Sequence, residues 1–158
     1  MYKPESKYAN RNINHTAVTT STLVLTAIAA GSGTSGRDGR KIKIKSFECN
    51  FLPGGTVPIR CIIYVPKTAS DTLGLASADA AVENDQFWIL KDFYINSNTD
   101  TALTGTQMGH RFPMGLTVEF DGDTTTDQVK NPIKMYLHNA GNNAQTINGH
   151  TKVWYTDV

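Results

Sequence analysis

The stretch GSGTSGRDGRKIKIK, from Gly31 to Lys45, decides how this chain is to be read. Its first six residues spell G-x-G-x-x-G, the fingerprint of a dinucleotide-binding loop. That fingerprint has meaning only between an incoming strand and an outgoing helix, because the helix N-terminus holds the pyrophosphate. What leaves the glycines here is Lys41-Ile42-Lys43-Ile44-Lys45, a strict polar/apolar alternation. That period belongs to a half-buried strand, so no helical turn can offer amides to a phosphate. The glycines therefore read as a turn between two strands, and the basic residues behind them need another explanation.

Strand signals extend in both directions from this point. Upstream, Thr19–Ala29 is rich in β-branched residues and reads as a first strand. Downstream, Lys41–Leu52 forms a long second strand. In it Ile42 and Ile44 share one parity, whereas Phe47, Cys49 and Phe51 lie on the parity of the lysines. The buried face must change near Ser46, through a bulge or a change of packing partner. Pro53-Gly54-Gly55 is a turn, and Val57–Val65, Gln86–Asn96, Arg111–Phe120, Asn131–His138 and His150–Tyr155 are further strands. Between them lie a loop over Pro66–Ala81, whose small residues would tolerate a short helix, a loop over Asn98–Gly109 and an acidic loop over Asp121–Asp127. Residues 1–17 are polar and aperiodic and read as an extended arm. Seven or eight strands with turn signals at this spacing indicate an all-β sandwich in one domain, with 1–17 as arm and 18–158 as folded unit.

The 158 residues carry 15 Lys and Arg against 14 Asp and Glu, a net charge of +1. The sum hides an asymmetry. Arg37, Arg40, Lys41, Lys43 and Lys45 cluster in one short run, relieved only by Asp38, whereas most acids fall between Asp71 and Asp127. Such a patch suits a polyanion. Cys49 and Cys61 form no C-x-x-C pair and sit in strand-like runs, so buried free thiols are expected. No apolar run has the length of a membrane span. The opening MYKPESKYANRNINHT has no hydrophobic core of a signal peptide, so membrane insertion and secretion are not expected.

Catalytic signals are missing from the sequence. His15, His110, His138 and His150 show no metal-ligand spacing, and there is no G-x-S-x-G elbow. Asp121, Asp123 and Asp127 suggest a calcium loop but break the EF-hand pattern. Phe87, Trp88 and Phe93 offer stacking surfaces for bases, yet alternating strand aromatics more often fill a core.

Several local motifs then coincide. GSGTSGRDGRKIKIKSFECNF resembles the stretch near the start of the capsid jelly roll in small circular Rep-encoding single-stranded DNA (CRESS-DNA) viruses, where a glycine turn and basic residues precede an alternating strand. FWILKDFYI, Phe87 to Ile95, resembles that family's aromatic, apolar pair, Asp and apolar strand. LTVEFDGDTTTDQVKNPIKMYLH is similar to its strand, acidic-Gly loop, Lys-Asn and strand unit, and INGHTKVWYTDV is similar to its closing strand. The resemblance spans residues 20–158, and satellite tobacco necrosis virus-type coat proteins share the general plan. It implies an eight-stranded jelly roll with no enzymatic activity, which self-assembles into a T=1 icosahedral shell of sixty copies around single-stranded circular DNA. It further implies a place in the virion, passage through the host nucleus during assembly, and a host surface receptor as partner. These coat proteins begin with an Arg/Lys-rich arm, whereas residues 1–17 here contain only Lys3, Lys7 and Arg11.

On this reading Arg37, Arg40, Lys41, Lys43 and Lys45, with Lys3, Lys7 and Arg11, contact nucleic acid. No cofactor is expected. The satellite type uses calcium between subunits, which makes Asp157, Asp121, Asp123 and Asp127 the metal candidates. The alternatives are a satellite-type coat protein around single-stranded RNA, a carbohydrate-binding sandwich, and a cupin-type jelly-roll enzyme; the last lacks its clustered His and Glu ligands.

Overall fold

The computed structural model describes residues 6–17, 20–31, 35–53, 58–82, 85–95, 108–141 and 145–158. The loop expected over 98–109 lies almost wholly outside these residues, as do Lys3 and the tip of the turn at Gly54-Gly55. Ten strands are present: β1 (Lys7–Ala17), β2 (Thr20–Val24), β3 (Lys41–Pro53), β4 (Ile59–Pro66), β5 (Phe87–Ile95), β6 (Met108–Pro113), β7 (Thr117–Phe120), β8 (Gln128–Lys130), β9 (Lys134–Asn139) and β10 (Gln145–Asp157). No helix among the described residues is long and apolar enough to cross a membrane.

The strands form two antiparallel sheets. One has the order β1-β10-β3-β7-β8, with β6 also on β3; the other has the order β2-β9-β4-β5. The pairs β1/β10, β2/β9, β3/β7 and β4/β5 are nested like the rungs of one long hairpin. Rolling that hairpin brings β10 onto β3 and β9 onto β4, which is the jelly-roll connectivity. β6 and β7 share one position of the roll, and β8 is a short addition at its edge.

The expected arm over 1–17 is a correction. From Lys7 onward it is strand β1, paired along its whole length with β10 from Lys7↔Tyr155 to Ala17↔Gln145. The chain-local pattern KYANRNINHTA carries too few apolar residues to read as a strand. Among its described side chains Ile13 is buried in the core and Ala9 packs against it, and backbone pairing with β10 runs along the whole strand. The folded unit therefore begins before residue 18. The segment expected to tolerate a short helix, 66–81, contains no helix either.

The parity change in β3 has the predicted cause on both sides. Trp154 pairs with Ser46 and Tyr155 with Ile44, so Lys45 is an extra, bulged residue. On the other edge the partner changes from β7 to β6 at the same place. There Met114 N donates to the Lys45 carbonyl at 2.9 Å, and Ile44 N donates to the Leu116 carbonyl at 2.8 Å. The bulge turns Phe47, Cys49 and Phe51 into the core beside Ile42 and Ile44. Cys49 and Cys61 are buried and in no disulfide, and burial pushes the Cys61 thiol well up.

All eight residues of β4 are buried, because each of its faces is covered. One faces the sandwich core with Cys61, Ile63 and Val65. The other lies beneath the 67–82 segment, where Leu73 and Leu75 pack on Ile62, Tyr64 and Tyr136. Polar groups fasten that cover. Leu73 N donates to the Tyr64 hydroxyl at 3.0 Å and Leu75 N to the Tyr136 hydroxyl at 3.2 Å. Arg60 holds Asp92 bidentately at 2.9 and 2.6 Å and donates to the Ala78 and Ala80 carbonyls. The four-stranded sheet is thus sealed by its own chain, whereas the outward face of the larger sheet stays open.

Tyr155 projects into the core with a hydroxyl that finds no partner among the described residues. Burial, reinforced by Asp157, pushes its pKa up to about 12. A buried hydroxyl without a partner loses its water without compensation. Tyr155→Phe is therefore expected to raise stability by about 1 kcal/mol, read from urea unfolding. A drop in stability instead would mean that the hydroxyl has a bonding role.

Candidate nucleic-acid interface

The basic run does not act as one patch. Arg37, the first of its cations, is 1% exposed. Its Nε donates to the Ile28 carbonyl at 3.0 Å, Nη1 to the Gly39 carbonyl at 2.6 Å, and Nη2 to the carbonyls of Gly122 and, at 3.4 Å, Thr124. The guanidinium lies 4.0 Å from the centre of the Phe120 ring. The glycines before it serve this burial. A methyl group at Gly36 would lie 2.5 Å from the Gly31 carbonyl oxygen, so only glycine lets the loop double back. Arg37 is a clamp between two loops and is withdrawn from any polyanion, contrary to the expectation from sequence.

Lys7 is the second correction. It is 4% exposed and its Nζ lies 2.6 Å from Asp38 and 2.8 Å from Asp157, with a further bond to the Gly36 carbonyl at 3.1 Å. Burial alone would depress its pKa. Hydrogen bonds and charge from Asp157 and Asp38 outweigh that and hold the ammonium above its ordinary value. The same cluster removes Asp157 from the metal candidates: its carboxylate is paired with Lys7 and accepts the Asp38 amide at 3.1 Å. A calcium ion would have to displace a buried ammonium. Asp127 is likewise occupied within its own loop, accepting Thr124 N at 2.7 Å; that bond lowers its pKa. Asp121 and Asp123 are exposed on the same turn. Among the described residues, no three His, Cys, Asp or Glu side chains stand together as a metal site.

Arg40, Lys41, Lys43 and Lys45 are exposed. Strand alternation puts Lys41 and Lys43 on one side of β3, about 6.6 Å apart, opposite to the buried Ile42 and Ile44. That side is the open outward face of the larger sheet. Glu119 of β7 tempers it, at 3.5 Å from Lys41 and 3.6 Å from Lys130. Arg11 is exposed on β1, away from this face, with Nη1 donating to the Val24 carbonyl at 2.5 Å.

The open face holds a second group that the reading of basic runs missed. Register places Tyr8 opposite Trp154, Asn10 opposite Lys152 and Asn12 opposite His150; on the far side of β10 these meet Ser46, Glu48 and Asn50. Lys152 Nζ lies 4.4 Å from the Tyr8 ring centre and 4.9 Å from that of Trp154. Next to them is a groove of about 290 Å³ lined by Asn10, Asn12, Glu48, His150, Lys152 and Trp154. Asn50 Nδ2 donates to Glu48 at 2.9 Å and lies 3.1 Å from His150 Nε2. The signal was present in the alternation of HTKVWYTD, where His150, Lys152 and Trp154 share one parity. What the strand alone does not show is Tyr8, brought in by β1. Aromatic rings with an interleaved cation and amide groups can stack bases and meet phosphates.

No protein-family model matches the chain, and no curated protein matches it. Among solved structures, the chain is similar to the crystal structure of the 60-mer BFDV capsid protein, at 9% identity and a TM-score of 0.44, covering 97% of this chain and 92% of that one. It is also similar to the structure of infectious bursal disease virus Gx strain, at 10% identity and a TM-score of 0.35, covering 96% of this chain and 32% of that one.

The different burial of the cations has a direct consequence. Arg37→Met strands four carbonyls and is expected to cost about 3–5 kcal/mol, the range for removing one side of a buried charge interaction. Lys43→Ser on the open face should stay within about 0.5 kcal/mol. Urea unfolding of the two variants distinguishes a clamp from a ligand-facing cation; equal costs would contradict this division.

Proposed function

We propose that this protein is a viral coat protein whose copies assemble into a small closed T=1 shell around a single-stranded circular DNA genome. The observation that carries the reading is the placement of the four family-like stretches on the jelly roll. GSGTSGRDGRKIKIKSFECNF is the turn and strand of β3, and FWILKDFYI is β5. LTVEFDGDTTTDQVKNPIKMYLH runs from β7 through the acidic loop and β8 to β9. INGHTKVWYTDV lies within β10. The segments that the resemblance describes as strands are strands of the roll, which supports the reading.

The asymmetry of the sandwich supports a division of labour. The outer side of the four-stranded sheet is covered by the 67–82 segment. The outward face of the larger sheet carries Lys41, Lys43, Lys130 and Lys152 against Glu48 and Glu119, with Tyr8 and Trp154 among them. On our reading this face turns toward the genome. It binds by charge and stacking and is therefore indifferent to base sequence. Arg40 and Lys45 add to the field from the edge of β3. Virion localisation follows from the same reading.

Size-exclusion chromatography with light scattering is expected to show a large, discrete particle; a monomer under every salt and pH condition would overturn the coat-protein reading. Changing Lys41, Lys43 and Lys152 together to Ser should leave particles intact while flattening the salt dependence of oligonucleotide binding. The log–log slope is expected to fall by about 0.7 for each lysine–phosphate pairing removed. An unchanged slope with particles still forming would place the genome-binding surface elsewhere.

A further inference from the structure

A cavity of about 750 Å³ opens where β2, the start of the 67–82 segment and the loop after β7 converge. It shares no lining residue with the groove beside Lys152, and neither the fold nor the interface above explains its lining. Two cations line it, Lys134 from β9 and Arg11 from β1. Lys134 is 7% exposed. Its Nζ donates to the Asp71 carbonyl at 2.7 Å, and among the described residues no carboxylate forms an ion pair with it or with Arg11. Burial lowers the Lys134 pKa, and the charge of Asp71 only partly restores it. Arg11 reaches across to the Val24 carbonyl at 2.5 Å, and Val24 is the register partner of Lys134. Both cations therefore line the one cavity.

A buried ammonium without a carboxylate destabilises a fold, and an apolar residue at this position of β9 would avoid that cost. Asp71 acts on Lys134 by charge without forming an ion pair, and the feature makes sense if the rest of the countercharge is supplied from outside. The donors left over are suited to that role. An ammonium offers three N–H groups and a guanidinium five, and one of each is engaged within the chain. Thr68 and Ser70 add hydroxyls to the same lining.

We propose that this cavity binds an oxyanion of the phosphate or sulfate type, with Lys134 as the buried charge, Arg11 at the rim and Thr68 and Ser70 as neutral donors. The Thr22 hydroxyl is engaged by Tyr64. Guanidinium geometry matches two oxygens of such an anion at once. The cavity is larger than a free ion, and Leu23 and Val129 form apolar wall. The fitting ligand is thus a monoester, in which the anion is attached to an organic group.

Thermal melts at fixed ionic strength, with chloride exchanged for inorganic phosphate or sulfate, test the site, because a ligand that binds only the folded state raises its stability in proportion to occupancy. The wild-type melting temperature is expected to rise with either anion. Lys134→Met should melt higher than wild type in chloride and lose the response. Ser70→Asp, an exposed rim change that leaves Lys134 in place, should also abolish the response, and it serves if Lys134→Met does not fold. Arg11→Gln should weaken apparent affinity several-fold. Phenyl phosphate and phenyl sulfate binding more tightly than the inorganic ions assigns the monoester; equal binding overturns the monoester assignment and leaves the bare oxyanion. A wild-type melt indifferent to both anions in the tens of millimolar, or an undiminished response in Lys134→Met or Ser70→Asp, overturns the proposal.

Discussion

The burial of the Arg37 guanidinium organises one end of the roll. Its charge is compensated by carbonyl dipoles and the Phe120 ring, so the loops that supply those carbonyls must come together before the cation can leave water. They come from the chain just before β3 and from the acidic loop after β7. Backbone bonds then complete the junction: Arg37 N to the Ala29 carbonyl, Gly31 N to the Arg37 carbonyl and Ala30 N to that of Asp123. A cation placed this way is costly to bury unless every donor is satisfied. That makes the junction all-or-none and fixes where β3 begins.

The Lys7 cluster does the same for the neighbouring corner. It joins the first strand, the turn at Asp38 and the end of the last strand at Asp157, which are the two termini of the nested hairpin and the loop that crosses them. Without it β1 would depend on backbone pairing, Ile13 with Ala9, and the Arg11 bond to Val24. Together the two cations close the roll, while the outer lysines are left with the weak, solvent-screened interactions of surface charges. Within one basic run, Arg37 thus serves stability while Arg40, Lys41, Lys43 and Lys45 stay in solvent.

The two faces of the sandwich differ for a related reason. β4 is apolar on both sides, so the smaller sheet needs a second cover, and the 67–82 segment provides it with Leu73 and Leu75. β1, β3 and β10 alternate, with Asn, Lys, Glu and aromatic groups outward, so the larger sheet needs none. The larger sheet thus shows a polar, partly cationic outward face, while the 67–82 segment covers β4 and the neighbouring part of β9.

The sequence by itself determined the all-β class, the parity change at Ser46, the buried thiols and the exclusion of a dinucleotide loop. Each of these depends on neighbours two to five residues apart, through side-chain alternation and turn chemistry. But it read seven or eight strands where the described residues form ten, missing β1 and joining β6 and β7 into one. Only the tertiary structure decided which cations are available. Arg37 meets Gly122 across 85 residues, and Asp38 meets Asp157 across 119, distances at which no local period carries information. For the same reason β1 was legible only as polar chain: its partner is the last strand. Tyr8 joins Lys152 and Trp154 only once that pairing exists, because register between distant strands is set by the closing of the roll and not by either strand alone.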